Sequence, residues 1–187
     1  MNKKIIFSTG GTGGHIFPAI NLMKHFSNEG YEVILVTDRR GNNFLRNDSK
    51  FKSYVISADT PVKKNLIKKI FSLITIFISI IKSISILRKE KPNLIIGLGG
   101  YVSFPISFAS RFFSFPLLVY ENNLALGRTN KYLLPIMKRL IIATKIPSNL
   151  PEKYKNKIYK SGPILSKNIV NYLPENKNKN KNFTILV

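Results

Sequence analysis

The apolar run Ile5-Ile6-Phe7 ends in Ser8-Thr9-Gly10-Gly11-Thr12-Gly13-Gly14-His15-Ile16-Phe17-Pro18-Ala19, and a helical pattern follows at once. A strand that stops in glycine and restarts as a helix commits the chain to βαβ units, because the helix must return over the sheet before the next strand can pair. Glycines 10, 11, 13 and 14 carry no Cβ, so the backbone is free to come close to a ligand, and the first N–H groups of the helix are left without intrahelical partners. An anion such as a phosphate suits that position. The alternative is a turn that needs glycine for steric reasons alone. The Thr12 hydroxyl and the titratable His15 beside the glycines favour a ligand site. No Lys-Ser/Thr follows, and the spaced glycines of the dinucleotide fingerprint are lacking, so a different phosphate-bearing ligand is implied.

Strand-like runs alternate with helical patterns along the whole chain, which predicts an α/β fold with a doubly wound parallel sheet. Strands are expected near Lys3 to Ser8, Glu32 to Thr37, Lys52 to Ile56, Leu94 to Leu98, Leu117 to Tyr120, Arg139 to Thr144 and Lys157 to Lys160. Helices are expected from His15 to Asn28, with Pro18 in the first turn and Gly30 as a stop, from Asn42 to Arg46, from Lys63 to Lys89, and, after the glycine turn that runs from Gly97 to Pro105, up to about Phe113. The stretch Asn176 to Asn182 is a polar, low-complexity linker, and Phe183-Thr184-Ile185-Leu186-Val187 reads as the first strand of a further domain.

The segment from Lys63 to Lys89 is unusual. Twelve uncharged residues separate Lys69 from Lys82, short of the ~20 that span a bilayer as a helix. On a helical projection Leu66, Ile70, Leu73, Phe77, Ile80, Ile84 and Leu87 form the face expected to cover the sheet. Ile67, Phe71, Ile74, Ile78 and Ile81 form a second apolar face, with Ser72, Thr75, Ser79 and Ser83 opposite. The apolar arc is roughly twice the ~100° that a core-facing helix needs. With lysines at both ends, shallow insertion into an anionic leaflet is the expectation for the second face, and burial under a neighbouring helix is the alternative.

Thirty Lys and Arg against nine Asp and Glu give a net charge of +21, so an anionic partner is expected. Part of this excess matches the abundance of Lys, Asn and Ile throughout the chain. The basic runs are not interleaved with aromatics and no helix-turn-helix is visible, which speaks against nucleic acid. There is no cysteine, and His15 and His25 are the only histidines, so neither disulfides nor a metal site is expected. The apolar run near the N-terminus is too short for a signal-peptide core.

In a parallel sheet all strand carboxyl ends lie on one edge, so the turns after three apolar strands should converge on one crevice. Thr12, Tyr101, Ser103, Glu121, Asn123 and Asn130 would bring hydroxyl, carboxylate and amide groups suited to sugar and phosphate oxygens. His15 is a candidate general base or a binder, and Glu121 a catalytic carboxylate or an orienting residue. Tyr101 reads equally as a core aromatic, and Arg128 as a solvated surface residue.

Three motifs in order carry a resemblance: Gly10-Gly11-Thr12-Gly13-Gly14-His15-Ile16-Phe17-Pro18-Ala19, Gly97-Leu98-Gly99-Gly100-Tyr101-Val102-Ser103-Phe104-Pro105, and Glu121-Asn122-Asn123-Leu124-Ala125-Leu126-Gly127-Arg128-Thr129-Asn130. The chain resembles the N-terminal half of the MurG family. The resemblance implies the N-terminal Rossmann-like domain of a GT-B glycosyltransferase, over residues 1–165, with a linker at 166–182 and the start of a donor-binding domain at 183–187. It implies an inverting, metal- and cofactor-independent transfer of GlcNAc from UDP-GlcNAc to lipid I (undecaprenyl-pyrophosphoryl-MurNAc-pentapeptide), giving lipid II for peptidoglycan, at the cytoplasmic face of the inner membrane. By resemblance Thr12, Gly13, Gly14 and Asn123 contact UDP-GlcNAc, His15 and Glu121 are catalytic, and Gly99, Gly100, Tyr101 and Ser103 hold the acceptor. Ile67, Phe71, Ile74, Ile78 and Ile81 match a peripheral membrane patch. The alternative is a non-catalytic, membrane-docking half that needs a separate donor-binding subunit. Two departures stand out. The family usually has His-Glu-Gln-Asn where this chain has Tyr120-Glu121-Asn122-Asn123, and Gly-Asn-Pro-Val-Arg where it has Ser161-Gly162-Pro163-Ile164-Leu165, which puts Leu165 at the place of an arginine that contacts the donor.

Overall fold

The computed structural model describes residues 3–45, 50–58 and 65–170. Seven strands form one sheet, all parallel: β1 (Lys4–Ser8), β2 (Glu32–Thr37), β3 (Lys52–Val55), β4 (Leu94–Gly97), β5 (Leu117–Glu121), β6 (Arg139–Ile142) and β7 (Ile158–Lys160). Their spatial order is β3-β2-β1-β4-β5-β6-β7, so the winding direction reverses between β1 and β4. Crossover helices are α1 (Gly13–Asn28), α2 (Arg39–Phe44), α3 (Leu66–Glu90), α4 (Ser103–Ala109) and α5 (Arg128–Leu133), and a short helical turn, Lys167–Val170, closes the described region. The expected doubly wound α/β fold is found. The linker beyond residue 170, the strand at 183–187 and the stretch at 59–64 lie outside the described residues.

The two-residue period of the strands sorts the core into two layers. Ile5 and Phe7 join Val33, Leu35, Ile96 and Leu98 under α1, whose Ile16, Ala19, Ile20 and Met23 are buried. Ile6 joins Ile34, Val36, Ile95 and Val119 on the other face, under Leu87 of α3, Ile106 of α4 and Leu133 of α5. Both faces of the central strands are covered, which is why their sequences read as unbroken apolar runs.

Three element boundaries differ from expectation for local reasons. α1 starts at Gly13, so Pro18 lies past the first turn and offers no N–H to the Gly14 carbonyl. α2 starts at Arg39 because the Asp38 carboxylate caps it, accepting from Gly41 N at 2.7 Å. α5, unanticipated, begins directly after Gly127.

α3 corrects the expected docking face. Leu66, Ile70, Leu73 and Phe77, predicted to cover the sheet, are exposed, Phe77 by 63%, whereas Ser72, Ser79 and Ser83 are buried together with Ile86, Leu87 and Glu90. α3 packs against α4, and the small side chains on its buried side permit a close approach. The α3 hydroxyls are satisfied: Ser72 donates to Lys68 O at 2.8 Å and Ser83 to Ser79 O at 2.7 Å, one turn back, and Ser79 reaches across to the Ser57 carbonyl. The expected face covers the core only at its C-terminal part, with Leu87 fully buried and Ile84 against the core; towards the N-terminus the small serines, which permit close backbone approach, form the packed side instead. Ile67, Phe71, Ile74, Ile78 and Ile81 are exposed, so the apolar surface of the N-terminal part of α3 points outward.

At the opposite edge from the expected crevice, Glu90 is buried beside Lys52 Nζ (2.7 Å) and Lys4 Nζ (2.9 Å), and Tyr54 donates its hydroxyl to the same carboxylate. Burial alone would push the Glu90 carboxyl up, but the hydrogen bonds from Lys52, Tyr54 and Lys4 outweigh it and hold it at about 2, below its ordinary 4.5. A depressed folded value means that the stabilisation is complete above the ordinary value and is lost as pH falls through about 2. Melting temperatures followed from pH 6 downward are expected to fall through that window, about 4.5 to 2, and to fall less steeply there in Glu90→Gln.

Candidate functional site

The turns after β1, β4 and β5 meet at the carboxyl edge, where the strand order reverses, the place where doubly wound sheets bind ligands. The first two turns touch through bare backbone. Gly10 N–H donates to Gly99 O at 3.1 Å, and Leu98 N–H to Ser8 O at 2.8 Å. A Cβ on Gly100 would stand 2.9 Å from both Cα and N of Gly10, and the φ of +79° at Gly100 is itself a glycine conformation. At Gly99, with φ +95°, a Cβ would lie 3.0 Å from Cε1 of His15, so the imidazole lies against this turn. Gly11 is needed because the Asp38 cap of α2 leaves no room for a side chain.

Gly13 and Gly14 are different. Both are exposed and neither has a positive φ, a Cβ on Gly14 would meet nothing within 4 Å, and one on Gly13 only the Phe17 ring at 3.5 Å. Thr12, the N-cap residue, makes no side-chain capping bond, although its carbonyl accepts from His15 N and Ile16 N at 3.0 Å. The first turn of α1 thus presents N–H groups and a hydroxyl that are not used among the described residues.

The third turn is organised by Glu121. Its side chain is at the buried end of β5, and four N–H groups converge on its two oxygens. Oε1 accepts from Asn123 N (3.0 Å) and Asn123 Nδ2 (2.8 Å), and Oε2 from Gly127 N (2.8 Å) and Asn130 Nδ2 (2.9 Å). Asn130 Nδ2 also donates to Tyr120 O at 3.1 Å, so the amide nitrogen must face these acceptors, and Asn130 Oδ1 is left buried without a partner among the described residues. Tyr120 takes the place beside Glu121: its hydroxyl reaches Asn122 Oδ1 and accepts from Ile164 N, each at 3.4 Å, and burial pushes its phenol up.

Between these turns lies a cavity of about 280 Å³ lined by His15, Gly99, Gly100, Tyr101, Glu121, Asn123, Gly127, Arg128, Thr129 and Asn130. Of the sequence candidates, His15, Gly99, Gly100, Tyr101, Glu121, Asn123 and Asn130 are brought together. Thr12, Gly13 and Gly14 stand exposed on the adjoining turn, outside this lining. Ser103 is fully buried, and its hydroxyl donates to Gly100 O at 2.9 Å, bracing the second turn from beneath. Gly127 and Thr129 line the cavity without being sequence candidates, and Arg128, read as a solvated surface residue, stands exposed on its wall. The signal was the run of amide and glycine residues after Glu121, whose N–H groups a buried carboxylate would gather.

Residues 5–142 match the family model described as the glycosyltransferase family 28 N-terminal domain, most of the chain and all three turns of the cleft. The chain belongs to this family. Among curated relatives, this family 28 domain is 37% identical over 178 residues to a UDP-N-acetylglucosamine--N-acetylmuramyl-(pentapeptide) pyrophosphoryl-undecaprenol N-acetylglucosamine transferase of Pelagibacter ubique (strain HTCC1062), covering 95% of this chain and 49% of the relative. A protein of the same description from Rickettsia canadensis (strain McKiel) is 37% identical over 169 residues, 90% of this chain and 46% of the relative. The crystal structure of MurG from Acinetobacter baumannii superposes with a TM-score of 0.72 at 26% identity, over 85% of this chain and 45% of that one. The family 28 domain therefore spans about half the length of the relatives it matches.

Proposed function

We propose that this domain is the acceptor-side half of a UDP-GlcNAc-dependent N-acetylglucosaminyltransferase that acts on a lipid-linked pyrophosphoryl-MurNAc-peptide, lipid I. The observation that carries the reading is the cleft itself: three turns of the glycine and carboxylate type, at the switch point of a sheet, in a chain 37% identical to a transferase of that description over 95% of its length. In this reading Thr12, Gly13, Gly14 and Asn123 meet the donor, and Gly13 and Gly14 are glycine to admit it, since the fold gives no other reason. Gly99, Gly100 and Tyr101 meet the acceptor. His15, held against the second turn, takes the proton of the acceptor hydroxyl as that oxygen attacks the anomeric carbon and UDP leaves. Glu121 shapes the third turn. The domain works with a donor-binding half. A titration of the chain with a short-prenyl lipid I analogue and with UDP-GlcNAc tests this: saturable acceptor binding with weak donor binding is expected, and donor binding without acceptor binding would reverse the assignment.

The outward faces of α3 support peripheral docking on the cytoplasmic leaflet, where such an acceptor resides. By length and composition α3 is long enough to cross a bilayer, but its serine stripe, Leu87 and Glu90 are packed into the domain, so the helix is read as lying on the membrane. Lys68, Lys69 and Lys82 are exposed along it and suit anionic lipid. Replacing Phe71 and Phe77 together by serine removes two side chains exposed by 65% and 63%. Each buries about 1.5–3 kcal/mol of transfer free energy when inserted. Sedimentation with phosphatidylglycerol vesicles is therefore expected to weaken at least tenfold, with the melting temperature unchanged.

A further inference from the structure

We propose that Arg128 is the pyrophosphate-recognising cation of the cleft and sets its preference for diphosphate over monophosphate ligands; the proposal rests on the reading above. Of the residues that line the cavity, Arg128 alone carries a permanent positive charge. The one carboxylate there, Glu121, makes no ion pair with it, and its two oxygens accept from four N–H donors instead. Arg128 makes no hydrogen bond or ion pair to any described residue, and it is exposed at the cleft wall.

Its backbone, by contrast, is fixed. Gly127 N and Asn130 Nδ2, on either side of it, both donate to Glu121 Oε2, at 2.8 and 2.9 Å, and Lys131 N closes the turn on Gly127 O at 2.9 Å. Thr129 and Asn130 are buried. A free guanidinium therefore stands on a rigid base, the arrangement that limits the entropy lost on binding. Folding supplies no motive for an arginine at this point. It opens α5, whose first turn contains no acid, and a cation at a helix start is disfavoured by the peptide dipoles. The planar fork of five N–H donors matches two adjacent phosphoryl groups in a way that a lysine ammonium does not.

Titration calorimetry on the 187-residue chain tests the assignment with four probes: inorganic pyrophosphate, inorganic phosphate, UDP-GlcNAc and a short-prenyl pyrophosphoryl-MurNAc-pentapeptide. Arg128→Ala is expected to weaken pyrophosphate binding at least tenfold and phosphate binding much less, with Arg128→Lys between them and the melting temperature unaltered in both. The larger loss, with UDP-GlcNAc or with the prenyl-linked probe, identifies which diphosphate Arg128 holds. Binding of pyrophosphate-bearing probes by the parent chain that is unchanged in Arg128→Ala would overturn the proposal and leave the functional reading intact. Failure of the parent chain to bind any of these probes would overturn both.

Discussion

Gly100→Ala is expected to destabilise the domain by roughly 3 kcal/mol and to abolish ligand binding at the cleft. A left-handed backbone costs a non-glycine residue on the order of 1–2 kcal/mol, and the new Cβ would lie 2.9 Å from backbone atoms of Gly10, which cannot turn aside as a side chain would. To relieve the overlap the two turns must part, breaking the Gly10 N–H to Gly99 O bond and moving His15 off its seat. Gly14→Ala is the contrast. Its φ is ordinary and the space around it is open, so alanine should hold the stability or raise it by up to about 1 kcal/mol, as for a helical glycine. If Gly14 is glycine for the sake of a ligand, UDP-GlcNAc binding falls all the same. Thermal unfolding and titration on the two variants separate a glycine kept for the fold from one kept for a substrate. Equal destabilisation by both would contradict the distinction.

Glu121→Gln is expected to behave as a severe substitution even though it is nearly isosteric. Both carboxylate oxygens face only N–H donors, two on each. An amide must turn its NH₂ toward one of the two pairs, and either orientation sets donors against donors in a buried position. Asn123 is exposed and recovers water, but Gly127 N and Asn130 Nδ2 do not recover it easily. With hydrogen bonds to a charged group worth about 1.5–3 kcal/mol each, a loss on the order of 3 kcal/mol is expected, or roughly 6–12 °C in melting temperature for a domain of this size. Acceptor binding should fall with it, since the turn that carries Asn123, Arg128 and Asn130 loses its anchor. A glutamate that served only as a proton acceptor would show the reverse: Glu121→Gln would fold and bind normally and lose turnover alone.

These expectations also mark what the sequence made legible. Apolar runs in alternation with helical patterns define a doubly wound sheet, because strands covered on both faces have no polar side to display. The convergence of three turns then follows from parallel strands alone. The individual contributions inside the cleft do not follow. Glycines 10, 11, 13 and 14 look alike in sequence, yet only the packed neighbours distinguish Gly10, pressed on Gly100, from Gly14, facing open space. Ser103 looked like a ligand contact and proves to be buried, because a hydroxyl three residues after Gly100 reaches back to its carbonyl. Arg128 reads as a surface residue and is exposed, but its place on the cleft wall was not legible, because the carboxylate that fixes its turn lies seven positions earlier. α3 shows the limit of hydropathy most clearly. Its serines, read as the polar side, are packed, and of the stripe expected on the sheet Leu66, Leu73 and Phe77 face outward while Leu87 is buried.

The most direct test of the central claim is transfer itself: labelled UDP-GlcNAc and a short-prenyl lipid I analogue, with this chain alone and with the C-terminal half of the Pelagibacter relative supplied in trans. The account predicts a disaccharide product only in the complemented reaction, lost on His15→Ala while acceptor binding persists. Complemented reactions without product, in a chain that still sediments with vesicles, would contradict it and leave a membrane-docking domain without a catalytic half-site.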